Sequence, residues 1–177
     1  MSIYIYGRIR KKNIDDQTLR ETIARSFSVN KNRIEQKDGN CTTYQNICND
    51  NEIILSFVKE KKPPYNIYES EITNHEFQYT QLIIFDIRKD KALKDTYIRI
   101  VDFFIDLSQE AGSDILVTSD MYDEICLIQS QGMIWSKTFP YRTSEHHHSD
   151  GLGQVEREFS GCEANIQPDS PRGANYV

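Results

Sequence analysis

The sequence predicts an α+β fold, in which two helices pack on one face of a single antiparallel or mixed sheet. Two stretches carry apolar residues at helical spacing, and several short β-branched runs are separated by turn residues. With 177 residues, 38% of them apolar and 11% aromatic, the chain is long enough for the core of one domain. We expect one domain over residues 1–139, followed by an irregular or mobile tail over residues 140–177.

The chain is expected to open with a strand followed by a helix. Residues 2–10 alternate between apolar and polar side chains, which is typical of a strand. A helix is predicted over residues 16–28, because residues 13–16 offer an N-cap and apolar residues follow at intervals of four. These apolar residues are Leu19, Ile23 and Phe27. Residues 29–51 are polar and rich in Asn, and a loop with a short strand is expected there.

Three strands are predicted in the middle of the chain. Residues 52–58 are β-branched and compact, and the Pro63-Pro64 pair ends that run. Further strands are expected over residues 65–72 and 76–88, the last of them apolar enough for a central position. A β-α-β-β-α-β, ferredoxin-like arrangement is one possible core, with additional strands.

The second helix is predicted over residues 91–111, with Asp90 as its cap and Gly112 as its stop. Its apolar face consists of Leu93, Tyr97, Ile100, Phe104 and Leu107. Short apolar runs at residues 115–117, 125–128 and 133–135 then predict a β-meander, because turn residues separate them.

The sequence favours a cytoplasmic protein. Its start lacks the features of a secretory signal, and no apolar run approaches the roughly 20 residues of a membrane span. The four cysteines have no CxxC spacing, so reduced thiols are expected. The three consecutive histidines at 146–148 lie in a Gly- and Ser-rich segment, and a solvated tail explains them better than a metal site.

Charge is sorted along the chain. The net charge of −6 argues against nucleic-acid binding, which usually needs a basic footprint. The first 37 residues contain nine Lys or Arg and four Asp or Glu, whereas residues 102–136 contain seven acids and no Lys or Arg. The seven acids are Asp102, Asp106, Glu110, Asp114, Asp120, Asp123 and Glu124.

The first three of these acids recur at intervals of four along the second predicted helix. Like charges at this spacing destabilise a helix by roughly 0.2–0.5 kcal/mol per pair, and nothing local compensates them. Glu110 also lies near the helix C-terminus, where the macrodipole disfavours an anion. If the other four acids pack beside the helix, one acidic surface forms that suits a basic partner. The alternative is an ordinary solvated helix face followed by polar turns.

The same acidic residues give only a weak match to a metal-binding pattern. The segment 119–124 could supply oxygen ligands to Ca²⁺ or Mg²⁺, but it lacks the third Asp or Asn, the Gly and the distal Glu of an EF-hand. The chain has no G-x-S-x-G, H-E-x-x-H, P-loop or G-x-G-x-x-G motif. We therefore predict a protein that is not an enzyme, with no catalytic residue, metal or cofactor.

The opening strand Ile3-Tyr4-Ile5-Tyr6 and the block from Tyr97 to Trp135 carry a resemblance. In that block an amphipathic helix leads into Gly112-Ser113-Asp114, an Asp-bearing turn and two further apolar strands. In this respect the chain resembles the small cytosolic immunity proteins of bacterial polymorphic-toxin and contact-dependent growth inhibition systems. The resemblance covers residues 1–137.

This resemblance implies an inhibitor that binds one cognate toxin in the cytoplasm of the cell that produces it. Many such toxins are nucleases with basic clefts, so the resemblance implies a protein partner with a basic surface. From the net charge and the lack of a long apolar run, we expect no binding to nucleic acid or membrane. Tyr122 in the acidic turn and Phe103 at the edge of the helix's apolar face are candidate anchors, although Phe103 also suits the core. Two alternatives stay open: a small metal-assisted hydrolase that uses the 114–124 carboxylates, and a ligand-sensing α+β domain.

Overall fold

A computed structural model describes residues 2–48, 53–91, 94–121 and 123–140. These residues form two α-helices and ten β-strands, which confirms the α+β class. The helices are α1 (Asp16–Ser26) and α2 (Lys94–Ala111). The strands are β1 (Ser2–Ile9), β2 (Glu35–Lys37), β3 (Thr42–Gln45), β4 (Ile53–Val58), β5 (Ile67–Ser70), β6 (His75–Gln78), β7 (Gln81–Arg88), β8 (Ile115–Ser119), β9 (Asp123–Gln129) and β10 (Gly132–Trp135).

Eight of the strands form one sheet in the order β10-β9-β8-β1-β7-β4-β3-β2, and every neighbouring pair is antiparallel. The inner strands β8-β1-β7-β4, together with the two helices, follow the β-α-β-β-α-β order of a ferredoxin-like core. The hairpins β2–β3 and β9–β10 extend this core at its two edges, and β5–β6 forms a separate two-stranded sheet.

The main core lies between the sheet and the helices, on what we call the helix face. Alternate residues of β1 and β7 point into it, because successive side chains of a strand face opposite sides. Gly7 lies on this face, directly against the ring of Phe104, and a Cβ at this position would overlap that ring. Phe27, Phe85 and Phe103 pack around the same place, with ring centroids 5.2–5.9 Å apart.

The helix termini follow the predicted chemistry in part. Asp15 caps α1, and its side chain accepts a hydrogen bond from the Thr18 amide at 2.7 Å. Gly112 ends α2 with a φ of 55°, a backbone conformation that glycine adopts without steric cost. The prediction that Asp90 caps the second helix is wrong. Asp90 lies in a 3-10 turn and pairs with Arg88. Lys94 is the first described residue of α2, and Leu93 of the predicted apolar face lies outside the described residues.

The opposite side of the sheet, the hairpin face, is covered in part by β5–β6. Phe77 and Tyr79 are buried there against Leu82 and Leu116 of the sheet, in a second and smaller apolar cluster. The single strand predicted over residues 76–88 is therefore two strands. The chain leaves the hairpin at residues 79–80 and enters the main sheet at Gln81, so that its apolar residues serve two different layers.

Candidate functional site

Two of the three predicted acids on α2, Asp106 and Glu110, contact α1. The carboxylate of Asp106 accepts a hydrogen bond from Ser26, and that of Glu110 accepts one from Thr22. Arg25 forms ion pairs with both acids, at 3.8 Å and 2.5 Å. These charges are therefore compensated, although not by a residue close to them in the sequence. The compensating cation comes from the other helix, which the spacing along one helix does not reveal.

Two further acids of the window, Asp102 and Asp114, lie on α2 and directly after it. Asp102 lies on α2, one turn before Asp106, with its side chain half-buried. Asp114 precedes β8 and pairs with Arg10 at 3.3 Å, at the end of the strand that lies farthest from the β8–β9 turn. The structure therefore does not collect the seven acids beside the helix.

Three acids do meet at the β8–β9 turn. Asp120 is exposed and accepts a hydrogen bond from the Tyr4 amide at 3.0 Å, while Asp123 is exposed at the start of β9 with a φ of 52°. Met121 between them is 50% exposed. Tyr122, the predicted anchor, lies outside the described residues.

Glu124 has a structural role that the sequence pattern did not reveal. It is only 4% exposed, and its two carboxylate oxygens accept hydrogen bonds from the amides of Glu71 and Ile72 at 3.1 and 2.8 Å. These amides belong to the turn between β5 and β6. Glu124 therefore joins the tip of the hairpin to the sheet. The only signal in the sequence was its place directly before a continuous apolar run.

The β5–β6 hairpin brings further acids close to the β8–β9 turn, and the sequence did not predict them as part of one surface. Glu69 and Glu76 are exposed and lie directly opposite each other on β5 and β6, where like charges destabilise a strand pair. Glu71 follows in the turn. None of the three forms an ion pair with any described residue. We call the surface formed by Glu69, Glu71, Glu76, Asp120 and Asp123 the hairpin–turn surface.

The turn and the hairpin meet at Glu124, which follows Asp123 in β9 and accepts hydrogen bonds from the hairpin amides of Glu71 and Ile72. Burial raises the pKa of Tyr68 on β5, Arg8 lowers it, and Glu124, Asp123 and Glu71 raise it further. Burial and then Asp120 likewise raise the pKa of the neighbouring Tyr6. The acids of the turn and those of the hairpin therefore act on the same group of tyrosines.

A cation lies beneath these tyrosines. The guanidinium of Arg8 lies 4.1 Å from the ring centroid of Tyr68, 5.4 Å from that of Tyr6 and 5.7 Å from that of Tyr79. It also donates a hydrogen bond to the hydroxyl of Thr118. Burial lowers the pKa of Arg8, and its Nε has no partner in the described part of the chain. Aromatic faces instead of a carboxylate stabilise this cation, which attaches the hairpin to β1.

A cleft of about 1210 Å³ opens between the tip of the hairpin and the last strand, β10. Acids of the hairpin form one wall, and Met133, Ile134 and Trp135 of β10 line the other. His75 and Lys137 are the basic side chains that line it. Ile134 is 38% exposed, and β10 is an edge strand that pairs only with β9 among the described strands. The cleft thus combines apolar groups, an open strand edge and negative charge.

The remaining predicted anchor and metal-binding residues are either buried or outside the described residues. Phe103 is fully buried between α2 and the sheet, so the prediction that it anchors a partner is wrong and its core interpretation is right. Among the residues that the structure describes, no group of three or more His, Cys, Asp or Glu side chains is arranged to hold a metal ion. The histidines at 146–148 and most of the predicted tail lie outside the described residues.

Comparisons with known proteins give no relative. No protein-family model matches the chain, and no curated protein or solved structure matches it significantly. Neither of the two described helices has both the length and the apolar character that crossing a bilayer requires.

Proposed function

We propose that this protein is an inhibitor of the immunity-protein type, which neutralises a cognate bacterial toxin by binding it through an acidic surface. The observation that carries the proposal is the hairpin–turn surface. Its five carboxylates lie on one side of the sheet, and none of them has an ion-pair partner among the described residues. Uncompensated charges gathered on one face favour a partner of opposite charge.

The surface also offers apolar and aromatic groups for contact. Met121 is 50% exposed and Tyr4 is 37% exposed, and both lie beside Asp120. Large side chains at the centre of an interface supply most of the binding energy, while surrounding charges mainly raise the association rate. The proposed partner therefore has a basic surface with an apolar centre, such as the basic cleft of a nuclease.

The acidic-surface part of the proposal is tested with two matched double variants. Asp120→Asn with Asp123→Asn removes two charges, keeps an acceptor for the Tyr4 amide, and suits the positive φ at residue 123. Asp106→Asn with Glu110→Gln removes two charges from the contact between the helices. Binding to the product of the gene immediately upstream is measured at low and high salt by surface plasmon resonance.

The Asp120→Asn, Asp123→Asn protein (the turn variant) is expected to associate about tenfold more slowly at low salt. Its association rate should also depend less on salt concentration. The Asp106→Asn, Glu110→Gln protein (the helix variant) should bind the product of the upstream gene as the wild type does. Equal association rates for all three proteins would contradict the role assigned to the hairpin–turn surface.

A further inference from the structure

We infer that the cleft beside β10 receives an extended basic segment of the partner, which adds to the sheet as a further strand. This inference rests on the proposed function and specifies how the partner docks. Three features of the cleft carry it: the outer edge of β10, which pairs with no described strand, the apolar side chains of β10, and the acids on the facing wall.

The two edges of the sheet differ in how well they accept another strand. The opposite edge, β2, consists of Glu35, Gln36 and Lys37, and charged side chains at an edge discourage pairing. The sequence of β10 is Gly-Met-Ile-Trp, with no charged residue. An unpaired apolar edge is a template for strand addition, in which main-chain hydrogen bonds provide the binding energy.

The charge of the opposite wall determines the kind of occupant. Glu69, Glu71 and Glu76 line the cleft together with Lys137. Glu69 and Glu76 repel each other across the strand pair, and neither forms an ion pair with a described residue. An occupant with Lys or Arg side chains would relieve this repulsion. In an extended strand every second side chain points to the same side, so basic residues at alternate positions would face this wall.

The same charges argue against two other occupants. A second copy of the chain would bring another set of these acids toward the first. Residues 145–177 carry six acidic and two basic side chains, so the chain's own C-terminal part has the wrong charge for this cleft. A basic segment of another protein is the occupant that the cleft suits.

The test uses Glu76→Lys in the full-length chain, with the product of the gene immediately upstream as the probe. This change places a lysine opposite Glu69, which turns a repulsive pair into an attractive one, so the hairpin is not expected to unfold. Glu35→Lys on β2 makes the same change of charge at the other edge and serves as the control. Dissociation constants are measured by calorimetry, and thermal melting monitors folding.

We expect Glu76→Lys to weaken binding by about tenfold or more without lowering the melting temperature, while Glu35→Lys binds as the wild type. Among residues 132–135, the amides that point to the outer edge of β10 should be unprotected from hydrogen exchange in the free chain. In the complex their exchange should slow by about tenfold or more.

The failures are distinguishable. If the wild type does not bind the probe, the proposed function fails, and this inference fails with it. If the wild type binds but Glu76→Lys behaves like Glu35→Lys, or β10 exchange is unchanged in the complex, the docking site is wrong and the proposed function stands. Protection of the β10 edge in the free chain would show that a second copy or the chain itself fills the cleft, and would also overturn the inference.

Discussion

Single residues in this protein illustrate how similar side chains take different roles according to their surroundings. Glu124 and Asp123 are consecutive acids, yet the first is buried and bonded to two amides while the second is exposed. The acidic window in the sequence does not separate these roles, because charge is visible in a sequence and hydrogen-bond partners from another element are not. The same limit applies to Arg25, whose partners Asp106 and Glu110 lie some 80 residues along the chain.

Replacement of Glu124 by Ala should lower the free energy of unfolding by about 1–3 kcal/mol, because the amides of Glu71 and Ile72 lose their acceptors. Urea denaturation followed by circular dichroism measures this change. Glu71→Ala removes an exposed carboxylate from the same turn and is expected to change stability by less than about 0.5 kcal/mol. Equal effects of the two replacements would show that the buried carboxylate does not hold the hairpin.

Gly7→Ala is expected to destabilise the fold by about 1–3 kcal/mol, because the added methyl group overlaps the ring of Phe104 in a closely packed core. At Gly39 the atom nearest to an added Cβ is the Cys41 carbonyl oxygen at 3.6 Å, so Gly39→Ala serves as a control. The same urea denaturation compares the two variants. A Gly7→Ala protein as stable as the control would contradict the close approach of β1 and α2.

The Cys126 thiol should resist modification in the folded protein. Burial raises the pKa of this thiol well above its ordinary value, so at pH 8 it remains protonated as well as inaccessible. Cys41 and Cys48 are half-buried free thiols and provide an internal comparison. With Ellman's reagent, Cys126 should react on the order of a thousandfold more slowly than either of them until the protein is unfolded. Rapid reaction of Cys126 in a Cys41→Ser, Cys48→Ser, Cys162→Ser protein would contradict its position in the core.

At the scale of elements, the sequence predicts what depends on local pattern and misses what depends on pairing between distant segments. The helix over residues 16–28, the strand over residues 52–58 and the final meander are confirmed, since each has a strong periodicity or clear turn residues. The Asn-rich segment 29–51 was expected to hold one short strand, and it holds β2 and β3. Both pair at a sheet edge, and their partners are not visible in a short polar stretch.

The hairpin β5–β6 is an element whose stability should differ from that of the main sheet. A two-stranded sheet is marginal by itself, and this one depends on Phe77, Tyr79, the Arg8 contacts and Glu124. Its amides should therefore exchange through local opening, at rates at least about tenfold above those of β1 and β7. Hydrogen exchange measured by NMR tests this, and identical protection of the hairpin and the sheet centre would show that they unfold as one unit.

At the scale of the whole molecule, the distribution of charge is the feature that connects sequence to function. The acidic window of the sequence is distributed over three places: α2, where Asp106 and Glu110 contact α1, the far end of β8, and the β8–β9 turn. Only the last of these joins other acids, which come from a hairpin nearly 50 residues earlier in the chain. One stretch of sequence does not reveal a surface that two distant segments form. The acidic window therefore did not predict that Glu69, Glu71 and Glu76 belong to this surface.

Ile134 of the edge strand β10 and three acids of the hairpin–turn surface, Glu69, Glu71 and Glu76, line the same cleft. Met133 and Trp135 of β10 also pack against the main core. In the proposed function, the helix face serves the stability of the core and the hairpin face serves contact with a partner. This division is what the proposed inhibitor role requires, since a surface that is not needed for the main core can be adapted to one partner.

The measurement that tests the central claim most directly is a rescue assay. This chain is expressed beside the product of the gene immediately upstream, in a host whose growth that product inhibits. The proposed function predicts that growth is restored and that the two proteins co-purify. Continued growth inhibition with both proteins present in soluble form, or rescue with no complex between them, would contradict an inhibitor that acts by direct binding.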